Sequence, residues 1–168
     1  GLIMQRNKVQ SLISSQIASS TEADGKITLG VLASETLPTE IARELRSKIT
    51  GDVSGITSTI KRLESIGYIS TGYTNEITLS DSEKLDSALR DNLGQIKSLF
   101  TTETYGVGIA MYDYLDNVLD DDGAMATTQK NMTDQVTDIT KQIADHERQG
   151  QSQRDQLLRS FVAVETSQ

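Results

Sequence analysis

The 168 residues carry a net charge of −8, and six of the acids fall within residues 101–123 with no base among them; no basic stripe exists anywhere, which excludes a nucleic-acid partner held by counterion release. Cys is absent, which removes disulfides, thiol catalysis and cysteine-based zinc sites, and no apolar run reaches the ~18 residues that membrane insertion requires. With 36% hydrophobic residues, five Tyr, two Phe and no Trp, large side chains are too few for a thick globular core, and the composition suits an elongated, thin, helical object.

Leu2, Val9, Leu12, Ile13 and Ile17 recur at helical spacing and predict a helix over residues 2–20. Ala23, Asp24, Gly25 and Lys26 break that pattern as a turn, and a short apolar segment from Ile27 to Val31 follows, punctuated by Gly30. Near Pro38, Ser34 or Thr39 is expected to cap a helix running to about Thr50, with Ile41, Leu45 and Ile49 on one face. Gly51 and Gly55 bracket the next turn, after which Ile56, Ile60 and Leu63 repeat a helical period up to Ile66 and Gly67. Residues 67–70 and 76–79 are β-prone runs around the Gly- and Asn-containing stretch 71–75, which predicts one small β-hairpin near 67–80. Ser80 and Glu83 match a capping box. It opens a helix whose stripe passes through Leu85, Ala88 and Leu89, then past Gly94 to Ile96, Leu99 and Phe100. A further helix over residues 107–119 shares Val107, Met111, Tyr114, Leu115 and Val118 on one face, and Asp120, Asp121, Asp122 and Gly123 end it.

From Ala124 to about Glu165 the only Gly or Pro is Gly150. One heptad position holds Met125, Met132, Ile139, His146, Gln153 and Ser160, and the other holds Gln129, Val136, Ile143, Gly150, Leu157 and Val164. This seam is apolar at its start, polar in its middle and apolar again through Leu157, Leu158 and Phe161. A helix of that length spans about 60 Å and is expected to lie along a partner helix. The candidate helix-pairing or assembly surface is Met132, Val136, Ile139, Ile143, Leu157, Leu158, Phe161 and Val164. Helix 2–20 is expected to cover part of it in antiparallel fashion, with Leu12 and Ile13 against Val136, Ile139 or Ile143. The patch from Leu157 to Val164 is expected to meet something outside this segment. The fold class predicted is mainly α, an elongated helical bundle or coiled coil with one small β-hairpin.

No catalytic, cofactor-binding or metal site is expected. His146, the single histidine, lies on the seam beside Gln142, Asp145 and Gln149 without a nucleophile that it would serve. Asp113, Asp116, Asp120, Asp121 and Asp122 invite a calcium loop. With Gly123 at the sixth place, however, Val118 and Gln129 occupy positions where that loop needs acids. Gly51 to Gly55 is not a nucleophile elbow, and Gly106-Val107-Gly108 lacks the third glycine of a dinucleotide fingerprint.

The order of elements resembles the C-terminal region of flagellar filament-capping proteins, also called hook-associated protein 2. The resemblance is carried by Leu29-Gly30-Val31-Leu32-Ala33-Ser34, by the Arg/Ser-bearing helix from Ile41 to Ser47, and by Leu63-Glu64-Ser65-Ile66-Gly67-Tyr68. It continues through Ile77-Thr78-Leu79-Ser80-Asp81, Lys84-Leu85, Ala88-Leu89 and Leu99-Phe100, then a short helix, an Asp/Gly-rich corner and one long helix. Tyr68 stands where the family usually has Ile, and Asn75-Glu76 where it usually has Gly.

The resemblance implies a helical leg domain over residues 1–123 with its hairpin near 67–80. A long C-terminal coiled-coil helix over residues 124–168 follows, with the head domains and the N-terminal half of the protein outside this segment. It also implies a non-enzymatic factor that caps the distal end of the bacterial flagellar filament and promotes flagellin insertion. The partners it implies are further copies of itself in a cap ring, flagellin, hook–filament junction proteins and an export chaperone. The location it implies is extracellular, at the flagellum tip, reached through the flagellar type III apparatus. Another exported coiled-coil protein, flagellin-like or a type III translocator component, is the competing reading; the strand and capping signal at 76–89 favour the capping family.

Overall fold

A computed structural model describes residues 1–72 and 74–166; Tyr73, in the predicted hairpin turn, and residues 167 and 168 lie outside the described residues. The elements in order are α1 (Leu2–Ile17), β1 (Ser20–Thr21), β2 (Ile27–Thr28), α2 (Leu37–Thr50), a 3-10 turn (Leu63–Ile66), β3 (Tyr68–Ser70), β4 (Ile77–Leu79), α3 (Ser82–Asp91), α4 (Leu93–Thr101), α5 (Val107–Leu119) and α6 (Ala124–Glu165). The fold is mainly α, and the chain divides into two compact units, Gly1–Asp120 and Asp121–Gln168.

The core of the first unit grows from α2. Pro38 occupies its first turn, where a missing N–H costs nothing, and Thr36 precedes the helix without a side-chain cap, so neither Ser34 nor Thr39 plays the expected role. Ile41, Leu45 and Ile49 stand four apart and are all buried. Ile96 and Leu99 of α4 join them in one cluster, as do Val107, Met111 and Val118 of α5, the face that periodicity predicts.

Residues 51–62 do not form the helix that Ile56, Ile60 and Leu63 suggest. Gly51 ends α2, Gly55 takes a left-handed φ of +78°, and small polar side chains capture the backbone instead. The Ile60 amide donates to Ser58 Oγ at 2.8 Å, and the Val53 amide donates to the Lys61 carbonyl at 2.7 Å. Val53, Ile60, Leu63 and Ile66 reach the core from this looped path.

The predicted hairpin is present, with β3 and β4 antiparallel and Tyr68 opposite Leu79. Gly67 makes the entry possible. Its φ is +90°, and a Cβ there would lie 2.2 Å from the Asp81 carbonyl oxygen. The following helix starts one residue later than the capping box places it. Asp81, not Ser80, is the cap, its carboxylate accepting from the Lys84 amide at 2.9 Å. The stripe from Leu85 to Phe100 is split into α3 and α4 at Asn92, and Leu93 is left exposed.

A second short hairpin was not foreseen. β1 and β2 pair antiparallel around the predicted turn, where Lys26 donates its amide to Asp24 Oδ1 at 2.9 Å. α1 therefore stops at Ile17. The Leu32 amide caps the Gln16 carbonyl at 3.0 Å, an approach allowed because a Cβ on Gly30 would stand 2.3 Å from that oxygen.

α1 also turns a different face inward from the one expected. Arg6 and Gln10 are its buried residues, at 3% and 7% exposure. Ile3 and Ile13 pack on the core beside them, while Leu2, Val9 and Leu12 stay exposed. Ile13 is half-buried within its own unit.

Candidate assembly surface

α6 is the whole of the second unit's regular structure, 42 residues with none buried. Several of its polar side chains bond within the helix itself. Thr133, Thr137 and Thr140 return their hydroxyls to carbonyls four residues back, at 2.9, 2.9 and 2.7 Å. Lys130 pairs with Asp134 at 2.8 Å, Lys141 with Asp138 at 3.6 Å, and Arg148 with Asp145. Solvent screens such exposed pairs, so they add little to stability; the hydrogen bond that Lys130 donates to the Asp134 carboxylate, followed by that carboxylate's charge, raises the Lys130 ammonium above its usual pKa.

The predicted surface residues fall on this helix in two groups. Met132, Val136, Ile139 and Ile143 form a narrow stripe covering about 60° of the circumference at ~100° per residue. Leu157, Leu158, Phe161 and Val164 spread over a band about twice as wide, which Val162 extends. Met132 is partly covered, and the other seven are between 53% and 77% exposed. All eight therefore present apolar side chains along this helix without being buried.

Residues weighed for chemistry are not brought together. His146 is exposed. Among the described residues no three His, Asp or Glu side chains converge as a metal would require, the acidic corner included.

The polar network that the structure does assemble joins α1 to the hairpin, and sequence reasoning missed it. Arg6 donates to the Asn75 carbonyl and to Gln10 Oε1, the latter at 3.3 Å. Arg46 donates to Asn75 Oδ1. Asn75 sits at φ +56°, a conformation Asn tolerates. Burial first, then the charge of Arg46, lowers the Arg6 pKa, and Glu76 opposes both. The signal available in the sequence was that Arg6, Asn7 and Gln10 share a helical face with Ile3 and Ile13. The network braces the fold, and no nucleophile or general base belongs to it.

The profile of the family described as flagellar hook-associated protein 2 C-terminus matches residues 3–168. The chain belongs to this family. Its fold is similar to the crystal structure of the flagellar cap protein FliD D1-D2-D3 domains from Escherichia coli, with a TM-score of 0.64 and 21% identity. That likeness covers 77% of this chain and 33% of that one, so this chain spans about a third of the hook-associated protein 2 relative it resembles. No curated protein matches.

Proposed function

We propose that this chain is the C-terminal leg segment of a flagellar filament-capping protein, a structural assembly factor at the filament tip and not an enzyme. The observation that carries this reading is α6: 42 residues, none buried, bearing an apolar heptad seam. A catalyst needs an enclosed site with converging groups, whereas a leg needs a long surface that engages partner helices. Membership of the hook-associated protein 2 family supplies the flagellar setting.

In this reading copies of the protein form the cap, and flagellin is the client that the legs meet. Hook–filament junction proteins adjoin it during assembly, an export chaperone holds it beforehand, and it leaves the cell through the flagellar type III apparatus. The polar centre of the seam, at His146, Gly150 and Gln153, weakens pairing enough for partners to exchange while keeping register.

The test uses the full-length protein containing this segment, in a motile strain deprived of its own capping protein. The unaltered protein restores filaments. A variant with Leu157→Asp and Phe161→Asp is exported but leaves flagellin unpolymerised in the medium. Filaments of normal length from that variant would overturn the assignment of this surface, and failure of the unaltered protein to restore filaments would overturn the capping role.

A further inference from the structure

We infer that α1 is a strap that opens on its own while the rest of the first unit stays folded, and that its closure is what covers the outer edge of β4. The body of the unit is apolar. Ile49, Leu99 and Val107 are 0% exposed, and α5 packs against both α2 and α4 around them. α1 packs on α2 alone among the major helix contacts, and its two buried residues, Arg6 and Gln10, are polar. The apolar residues that it sets against the core, Ile3 and Ile13, are only half-buried. Hydrogen bonds made on docking replace hydrogen bonds to water, so they hold α1 less firmly than an equal area of aliphatic surface would. Packing is also incomplete at the start of the helix, where a groove of about 670 Å³ remains among Leu2, Ile3, Met4, Tyr68, Ile77 and Phe100.

The contacts that close the strap are made or lost together. Arg6 donates to the Asn75 carbonyl, and Asn7, the next residue, engages both backbone groups of Ile77. Arg46 of α2 donates to the side chain of the same Asn75. Two guanidinium groups therefore approach each other on closure and repel, and Glu76 offsets part of that repulsion. α1 also has little support of its own. No side chain caps its first turn, which carries no acid, and its last turn carries no base. Its 16 residues are a length at which an isolated helix is marginal in water. Once undocked, α1 unravels, the Ile77 amide loses its acceptor, and the edge of β4 lies bare.

Native-state hydrogen exchange on the purified chain, followed by NMR in urea below the unfolding transition, tests this. The amides of Val9 to Ile13 and of Ile77 are expected to exchange on the order of a hundredfold faster than those of Ile49, Leu99 and Met111, with a weaker dependence on urea. Exchange of α1 at the rate of those core amides would overturn the strap. Two variants separate local from global opening. Ile96→Val, in α4, weakens the body and should speed the core amides about fivefold while α1 and Ile77 keep their original rates; a rise shared by all of them would show that α1 unfolds only with the whole unit. Ile13→Ala loosens α1 without touching the acceptor of the Ile77 amide, and should speed α1 and Ile77 by one common factor, on the order of tenfold. An Ile77 amide that does not follow α1 would show that the strap does not guard the edge. These readouts do not depend on filament growth, so their failure sinks the strap and leaves the capping role to its own test.

Discussion

The Asn7 carboxamide bonds both backbone groups of Ile77, its Nδ2 donating to the carbonyl at 2.8 Å and its Oδ1 accepting from the amide at 3.0 Å. A side chain of α1 thereby acts as a neighbouring strand for the outer edge of β4. This covers an edge that would otherwise expose unpaired groups and ties the start of the chain to a hairpin seventy residues on.

Asn7→Ala leaves both Ile77 groups without this partner. The expected cost is about 1–2 kcal/mol, read as a lower urea midpoint, together with faster hydrogen exchange at the Ile77 amide. An unchanged exchange rate at Ile77 would show that the pairing is not maintained in solution.

Two guanidinium groups, Arg6 and Arg46, converge on Asn75, and Glu76 is the carboxylate whose charge opposes Arg46 at Arg6. Glu76→Gln is expected to destabilise the first unit by about 1 kcal/mol at low salt and by less at high salt, because added ions screen the repulsion between the arginines. Urea titrations at two ionic strengths measure both effects, and equal midpoints for the variant and the unaltered protein would remove Glu76 from the network's energetics.

Two glycines should respond in opposite directions. Gly67→Ala meets both a left-handed φ and a Cβ placed 2.2 Å from the Asp81 carbonyl oxygen, so a loss of at least about 2 kcal/mol is expected. Gly150→Ala adds a methyl group with nothing within 4 Å in the interior of α6, and should stabilise that helix by about 1 kcal/mol. Thermal melts by circular dichroism distinguish the two cases; a neutral Gly67→Ala would contradict the observed turn.

Long, regular periodicity was legible in the sequence. α5 and α6 have the boundaries that their apolar spacing predicts, and α2 presents Ile41, Leu45 and Ile49 as expected. Spacing misled where local chemistry competed with it. Residues 51–62 carry apolar residues at helical intervals, yet glycines and hydroxyl side chains hold that stretch in a loop. In α1 the apolar spacing points to Leu2, Val9 and Leu12 as the inner face, but Arg6 and Gln10 are the buried residues, because Asn75 gives Arg6 a partner from a distant loop and Arg6 in turn bonds Gln10. Such partners are invisible to a local reading. In α6 the heptad pattern places Val136, Ile139, Ile143, Leu157 and Val164 along one helix, and all five are exposed there.

The C-terminal band of α6 gives the last prediction. Leu157 and Phe161 are 69% and 77% exposed, and neither belongs to the buried core cluster. Leu157→Asp with Phe161→Asp should therefore leave the melting transition of that unit within about 0.5 kcal/mol of its original stability. Its effect should fall on association. Covering each of these side chains in a helical contact contributes roughly 1.5–3 kcal/mol, and a carboxylate in the same place adds a desolvation penalty that nothing in an apolar seam offsets. Light scattering should show a lower apparent mass for the double variant across a concentration series, while circular dichroism reports the fold of the first unit unchanged. Association that persists undiminished would show that the band is not an assembly surface, and loss of the first unit's transition would show that it supports the fold instead.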